Sequence, residues 1–282
     1  MKKLLNLMVS ALLFAFSANI VSAAAYNTST NWFADVNVKH LNVIGQNIIK
    51  ANKMPSTVTF KVTDNENMNT TSTSNIVYIY NGDLKFVEND NELAAVVAHE
   101  IGHLVNGHEA KQSLLFNAIS SVNPNTSTEK GSTTVDLLKA AAANKVSKDT
   151  EMEADRTAVD LMISAKYNPL ALISVVYKSD LAASGGILSS TPSCEERIMN
   201  IYDYANFNYP ATVKANYKTD SYQSALNLIY ANLKIRNASP KKLANAKKEQ
   251  EKLQKEKLKR MRNMAKSTNP WSAAYSMLQV TE

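Results

Sequence analysis

The sequence predicts a mainly α-helical fold with a small β-sheet, an α+β arrangement. Apolar residues recur at helical spacing in several long segments, whereas only two short stretches, near 57–62 and 76–80, have the residue types of strands. The chain has 282 residues, of which 45% are hydrophobic. A chain of this size can bury one sizeable core and carry an additional helical segment.

The first 23 residues are interpreted as a secretory signal peptide. Lys2 and Lys3 precede an apolar run from Leu4 to Ile20, and the small residues that a signal peptidase needs follow at 21–25. A retained membrane anchor is the alternative, because about 17 apolar residues just span a bilayer. On the signal-peptide interpretation the mature protein is exported, to the bacterial periplasm or out of the cell.

The segment after this run predicts a helix near 31–52, with Leu41, Ile44 and Ile48 at helical spacing. The two predicted strands follow. The next predicted helix starts at Asp90 or Asn91, either of which can cap it, and its apolar residues occupy several sides. We therefore expect this helix to be buried in the core.

The segment His99-Glu100-Ile101-Gly102-His103 lies on that helix and predicts a metal site. Side chains four residues apart share a helix face, so His99 and His103 can bind one ion. Glu100 lies beside them and can act as a general base towards a water that the metal activates. A chance match on a structural helix is the alternative, and a third ligand distinguishes the two.

The run from Glu151 to Asp155 supplies candidates for that third ligand, because a catalytic zinc takes three protein ligands. Glu151 and Asp155 are four residues apart at the start of a helix predicted over 150–166. One carboxylate can bind zinc while the other holds a ligand imidazole. Glu153 points elsewhere, and the alternative is an acidic first turn that suits the helix dipole. His108 is about 140° round an α-helix from His103 and is not counted as a ligand.

These motifs resemble those of the HtpX-like, BepA-like and CAAX-prenyl-protease-type zinc metallopeptidases, family forty-eight of the metallopeptidases. The family pattern is H-E-x-x-H followed by E-x-x-A-D, and the likeness covers roughly residues 35–205. The resemblance implies a zincin-like fold of the gluzincin type, with the active-site helix in the core, one zinc ion per chain and polypeptide substrates. It implies that His99, His103 and Glu151 bind the metal and that Glu100 is the base.

The resemblance further implies that Asp155 and Arg197 form an outer layer that supports the ligands. Arg197 belongs to the segment Glu195-Glu196-Arg197-Ile198, which matches the family downstream of the metal motifs. Two departures stand out. Thr191 replaces a histidine that many relatives carry, and the stretch Asn65–Ser72 replaces a characteristic turn before the second strand. A polar stretch of this kind still permits a strand edge that pairs with an extended peptide.

The predicted organisation is a signal peptide (1–23), a metallopeptidase domain (24–210) and a C-terminal helical extension (211–282). Between 108 and 148 the chain is rich in Ser, Thr, Asn and Ala, which suggests a segment that covers the cleft. A further helix is expected over 171–177. Cys194 is the only cysteine, which excludes an internal disulfide.

Residues 240–266 contain eleven Lys or Arg and three Glu, so this stretch has a net charge of +8, which exceeds the net charge of +6 of the whole chain. This segment is predicted to form an exposed helix, because it lacks glycine and is rich in residues with high helix propensity. Such a helix can make peripheral contact with an anionic membrane or an acidic protein. Nucleic acid is excluded as a partner for an exported protein.

Together these observations predict a zinc-dependent endopeptidase that cleaves unfolded or misfolded envelope proteins, with a role in protein quality control. The alternative from another functional class is a chaperone-like or assembly-factor binding protein that retains the zinc site but has little or no hydrolytic activity. Thr191 and the altered strand region favour this alternative, whereas Glu100 favours the enzyme.

Overall fold

The computed structural model describes residues 38–64, 75–111, 113–114, 148–182 and 192–278. The predicted signal peptide, residues 115–147 of the predicted covering segment, residues 65–74 and Thr191 lie outside the described residues. Within them the prediction of a mainly α fold with a small β-sheet is confirmed.

The amino-terminal described part contains helix α1 (Val38–Ala51) and the parallel strands β1 (Thr59–Thr63) and β2 (Ile76–Tyr80), in which Phe60 lies opposite Val77. The predicted apolar face of α1 is buried. A Cβ on Gly45 would lie 2.2 Å from the Phe60 ring, so only glycine lets α1 approach β1 this closely. The Asn42 side chain accepts from the Phe60 N–H at 3.0 Å and donates to its carbonyl at 3.1 Å, which fixes the helix against the strand.

A short helix, α2 (Asn81–Leu84), leads from the sheet into α3 (Asp90–Asn106). The prediction of Asp90 or Asn91 as the cap of α3 is wrong. The cap is Asn89, whose side chain accepts from the backbone N–H of Glu92 at 3.1 Å. The prediction that α3 is a core helix is confirmed, because the consecutive residues Leu93, Ala94, Ala95 and Val96, which point to different sides of the helix, are all buried.

The central part of the chain contains three further helices, α4 (148–164), α5 (Ala171–Ala182) and α6 (Cys194–Asn208). Helix α5 packs against both α3 and α6. The three helices correspond to the helices predicted over 150–166 and 171–177 and to the segment that contains Arg197. Asn52 joins α1 to α4, since its side-chain amide donates to the Leu161 carbonyl at 3.0 Å. The start of α6 is fixed by a capping box between Ser193 and Glu196.

The C-terminal part contains α7 (Pro210–Ala215), α8 (Asp220–Asn237), α9 (Pro240–Met264) and α10 (Pro270–Ser276). The predicted Lys-rich helix is α9. Helix α10 returns to the end of α3, where Asn269 and Ser272 donate to the carbonyls of Leu104 and Val105. These bonds provide additional partners for carbonyl groups in the last turn of α3, where the regular intrahelical hydrogen bonds end.

Candidate metal centre

Helix α3 places His99 and His103 side by side on one face. Their Nε2 atoms are 3.1 Å apart, as expected for residues one turn apart that aim at the same point. The end of this helix is fixed by Asn106, whose side-chain amide donates to the Gly102 carbonyl at 2.7 Å and to the Thr157 hydroxyl at 2.9 Å. Because Thr157 is on α4, the same amide holds the two helices together.

Helix α4 brings Glu151 to the two imidazoles. Its Oε2 lies 3.4 Å from His99 Nε2, and its Oε1 lies 3.4 Å from His103 Nε2. Ligand atoms about 2.0–2.1 Å from a tetrahedral zinc stand about 3.3 Å apart, so the three groups fit one ion. They are also the only group of at least three His, Cys, Asp or Glu within the described residues that is arranged to hold a metal.

The three side chains remain partly accessible, with exposed fractions of 13% for His99, 24% for His103 and 22% for Glu151. Structural zinc sites are closed by four protein ligands, whereas catalytic sites have three and keep one position for water or substrate. The donor set and its accessibility therefore match the catalytic type.

Behind His99 lies Asp155, which is fully buried. Its Oδ1 is 3.0 Å from His99 Nδ1, the ring nitrogen that faces away from Glu151. Arg197 on α6 holds the same carboxylate with two hydrogen bonds, from Nε at 2.9 Å and from Nη2 at 2.7 Å. The structure thus brings together both residues that the resemblance assigned to the outer layer.

Behind His103 lies His108, whose place in the site the sequence did not predict. The two Nδ1 atoms are 2.9 Å apart, and His108 Nε2 is 2.9 Å from Glu153 Oε2. The angular argument against His108 assumes a continuous α-helix. That helix ends at Gly107, whose φ of 60° is left-handed and turns the chain so that His108 faces back to His103.

The charges around the site favour the metal-binding forms of His103 and Glu151, whereas His99 has to lose a proton before it can bind a metal. Burial alone would lower the pKa of His99, but the carboxylates of Asp155 and Glu151 outweigh it and raise the pKa to about 10. Burial and the positive charge of His99 lower the pKa of His103 to about 3. Burial would raise the pKa of Glu151, yet the nearby imidazoles and Arg197 bring it down to about 2. A cation that displaces the His99 proton would therefore meet an ionised carboxylate and a neutral imidazole.

Glu100 and Asp83 form an acidic pair of groups near the metal-binding residues. Burial raises the pKa of Glu100 to about 7, and the charge of Asp83 contributes to the rise while His99 opposes it. Burial likewise raises the pKa of Asp83, against the opposing charges of His99 and Arg197. Asp83 was not predicted from the sequence, because it reaches the site only through the path of the chain after β2.

The sequence profile described as Peptidase family M48 matches residues 36–205, which is more than half of the chain. The matched region contains the metal-binding group and its outer layer, and it ends before α7. No curated protein and no solved structure matches the chain.

Proposed function

Because the chain belongs to peptidase family M48, we propose that this metallopeptidase is a zinc-dependent endopeptidase acting on unfolded or misfolded polypeptides. The observation that carries the proposal is the convergence of His99, His103 and Glu151. Their ligand atoms lie 3.1–3.4 Å apart on two helices that are packed into the core.

Zinc is the metal that this donor set favours. Two imidazoles and one carboxylate form a catalytic zinc site of the His₂Glu type, whereas Mg²⁺ and Ca²⁺ prefer oxygen ligands throughout. When bound, zinc supplies Lewis acidity that polarises the peptide carbonyl and brings the pKa of water from 15.7 to about 7.

Glu100 is proposed as the general base. It follows His99 in the chain, and the charges of His99 and Glu151 act on its carboxylate. Its pKa of about 7 in the metal-free site means that burial makes the carboxylate a better proton acceptor than an exposed glutamate. Glu100 takes the proton from the attacking water and delivers it to the leaving amide nitrogen.

Asp155 and Arg197 are proposed to orient His99. With Nε2 directed at the metal, the proton of His99 stands on Nδ1, which faces the Asp155 carboxylate. The two hydrogen bonds from Arg197 prevent that carboxylate from turning away. The imidazole is therefore held in the one tautomer that can bind zinc through Nε2.

We also propose export, to the periplasm or beyond the cell. The support is the sequence pattern of residues 1–23. Among the described residues, no helix has both the length and the apolar character to cross a membrane.

Contact of the basic segment 240–266 with an anionic membrane is a further part of the proposal. Its support is that most of the lysines of α9 are exposed. Sedimentation with vesicles that contain anionic lipid should pull down the protein at low salt. Binding that persists at the same level when the exposed Lys247, Lys248 and Lys255 are replaced with glutamine would contradict this contact.

The function is tested by measuring zinc content and proteolysis on the same preparation, purified without chelators. We expect about one zinc ion per chain and cleavage of casein or another unfolded protein at internal sites, seen as fragments by mass spectrometry. Glu100→Gln should keep the zinc and lower the cleavage rate by about 10²- to 10⁴-fold, because only the base is lost. Glu195→Gln on exposed surface of α6 is the matched control and should behave as the unchanged protein.

Three other outcomes have distinct meanings. A protein that binds no zinc contradicts the proposal. Trimming from the chain ends alone contradicts endopeptidase action. If both the unchanged protein and Glu100→Gln bind zinc and neither cleaves any unfolded substrate, the chaperone-like alternative is favoured, and suppression of aggregation becomes the activity to measure.

A further inference from the structure

Helix α9 is joined to α4 by two cations on one face. Lys257 Nζ lies 2.7 Å from Asp160 Oδ2, and Arg260 Nη1 donates to Glu153 Oε1. Asp160 is fully buried, and the other three side chains are exposed by only 15–22%. Both cations lie beyond the region that matches the peptidase family, which ends at residue 205.

The Arg260 contact continues without a break to a metal-binding residue. Arg260 occupies Oε1 of Glu153, and His108 Nε2 lies 2.9 Å from Oε2 of the same carboxylate. His108 Nδ1 is 2.9 Å from His103 Nδ1, and the Nε2 atom of His103 faces Glu151. The contacts thus run from the C-terminal helix through one carboxylate and one imidazole to His103.

When His103 binds a metal through Nε2, the contacts from His103 to His108 and from His108 to Glu153 allow only one placement of the ring N–H protons. His103 then carries its proton on Nδ1 and donates to Nδ1 of His108. His108 must therefore carry its own proton on Nε2, where it donates to Glu153. An ionised Glu153 carboxylate enforces this tautomer, because it can only accept. If His108 were protonated on Nδ1 instead, two N–H groups would face each other and His103 would be displaced.

We propose that Arg260 is a positioning residue of the metal centre, which acts through Glu153 and His108 to hold His103 in its metal-binding orientation. The inference rests on the proposed zinc site. Each ligand imidazole then has an arginine-held carboxylate behind it. Arg197 and Asp155 act directly on His99, and Arg260 and Glu153 act on His103 through His108.

Among the described residues, Lys111 is a second cation in contact with Glu153, and it does not replace Arg260. Its Nζ lies 3.1 Å from Oε2, the oxygen that His108 also uses, and its side chain is 50% exposed. Arg260 uses the other oxygen and is only 22% exposed. The neighbouring Lys257 pairs with Asp160 on the same face of α9, and none of its described contacts leads to His103.

The test compares Arg260→Met with Lys257→Met. Both variants remove a cation from the same face of α9, but only the first removes a contact in the series that leads to His103. Zinc affinity is measured by competition with a chelator, the Co²⁺ form is examined by visible absorption, and the histidine tautomers of the zinc form are read by ¹⁵N NMR. Thermal unfolding of the metal-free proteins records general damage.

We expect Arg260→Met to bind zinc about tenfold more weakly, as supporting residues of metal ligands do. Its Co²⁺ spectrum should change, and His108 should lose its preference for the Nε2–H tautomer. Lys257→Met should lower the unfolding temperature but leave the zinc affinity within about twofold of the unchanged protein. Arg260→Lys keeps the charge with a single donor group and should restore part of the affinity.

Equal zinc affinity and an unchanged Co²⁺ spectrum in Arg260→Met would overturn the inference. An equal loss of affinity in Lys257→Met would also overturn it, because the effect would then come from loosening α9. If Arg260→Met does not fold, Arg260→Lys and Lys257→Arg are compared in the same way, since each keeps a cation. Failure of the unchanged protein to bind zinc or Co²⁺ is a separate result, which contradicts the proposed function itself.

Discussion

Gly102 of α3 and Ala154 of α4 are in such close contact that a Cβ on Gly102 would lie 2.8 Å from the Ala154 carbonyl oxygen. The obstacle is backbone, so it cannot give way by a change of rotamer. This contact sets the distance between the helix that carries both histidines and the helix that carries Glu151. Glycine at position 102 is therefore a requirement of the metal geometry.

The first prediction follows from this contact and concerns Gly102→Ala. The added methyl group forces α3 and α4 apart, which moves Glu151 away from the imidazoles. We expect a loss of about 1–3 kcal/mol in stability, as for other overpacked cores, and zinc binding that is weakened by at least tenfold. Chemical unfolding and chelator competition measure the two effects. Unchanged zinc affinity would show that the spacing of these helices does not control the site.

The second prediction concerns Arg197→Lys. Lysine keeps the positive charge but cannot make the two hydrogen bonds that arginine makes with Asp155. We expect cleavage activity and zinc affinity to fall by about 10- to 100-fold, because the carboxylate behind His99 is no longer held. The same replacement at Arg262, whose only described side-chain bond is to a carbonyl of its own helix, is the control and should change neither quantity.

Spacing predicted part of the centre. Residues four apart on one helix share a face, which accounts for the pair His99 and His103. The same spacing left Glu151 and Asp155 both open as the third ligand, and only the resemblance to the family favoured Glu151. His108 could not be placed in this way, because the left-handed Gly107 ends the regular geometry on which angular arguments depend. The start of α3 could not be predicted to the residue either. Asn89, Asp90 and Asn91 are all residue types that favour the N-cap position, so the sequence does not distinguish among them.

Contacts between distant parts of the chain could not be predicted from local patterns. Arg260 and Glu153 are 107 residues apart, and nothing in the Lys-rich pattern of α9 distinguishes Arg260 and Lys257 from the exposed cations around them. Asp83 is a comparable case, because its closeness to Glu100 depends on how β2 and α2 pack. Local sequence fixes which face of a helix is apolar, whereas tertiary packing decides which charges meet.

The third prediction concerns Asp160→Asn. Asp160 is fully buried and accepts hydrogen bonds from Tyr204 at 2.8 Å and from Tyr209 and Tyr275, and it pairs with Lys257. Removal of its charge leaves Lys257 in a confined place without its counter-ion. We expect a loss of about 3 kcal/mol or more in the free energy of unfolding, measured by denaturant titration.

The control for this variant is Glu256→Gln, which removes an exposed ion pair with Lys252 on the same helix. Exposed pairs contribute little, so we expect a change below about 1 kcal/mol. Similar losses in the free energy of unfolding of the two variants would show that the buried contact of Asp160 with α9 contributes no more to stability than an exposed ion pair does.

The fourth prediction is a pH dependence that involves Glu92 on α3 and Lys178 on α5. Glu92 is fully buried, and its Oε2 accepts from Lys178 Nζ at 2.7 Å and from the backbone N–H of Glu88 at 2.8 Å. Burial raises the pKa of Glu92 above its usual value of 4.5, and the lysine only partly offsets this. The folded state therefore holds this proton more tightly than the unfolded chain does.

The sign of the effect follows from this difference. A carboxyl with a raised pKa contributes stability that is fully present below the unfolded value of about 4.5 and is lost as the pH rises through the folded pKa. We expect the stability of the unchanged protein, relative to Glu92→Gln, to increase as the pH falls from 7 to about 4.5 and then to stay constant. Denaturant titrations of both proteins across this range measure the difference, with Glu195→Gln as an exposed control. A relative stability that decreases over the same interval would mean that Lys178 outweighs burial, so that the pKa of Glu92 is lowered in the folded protein.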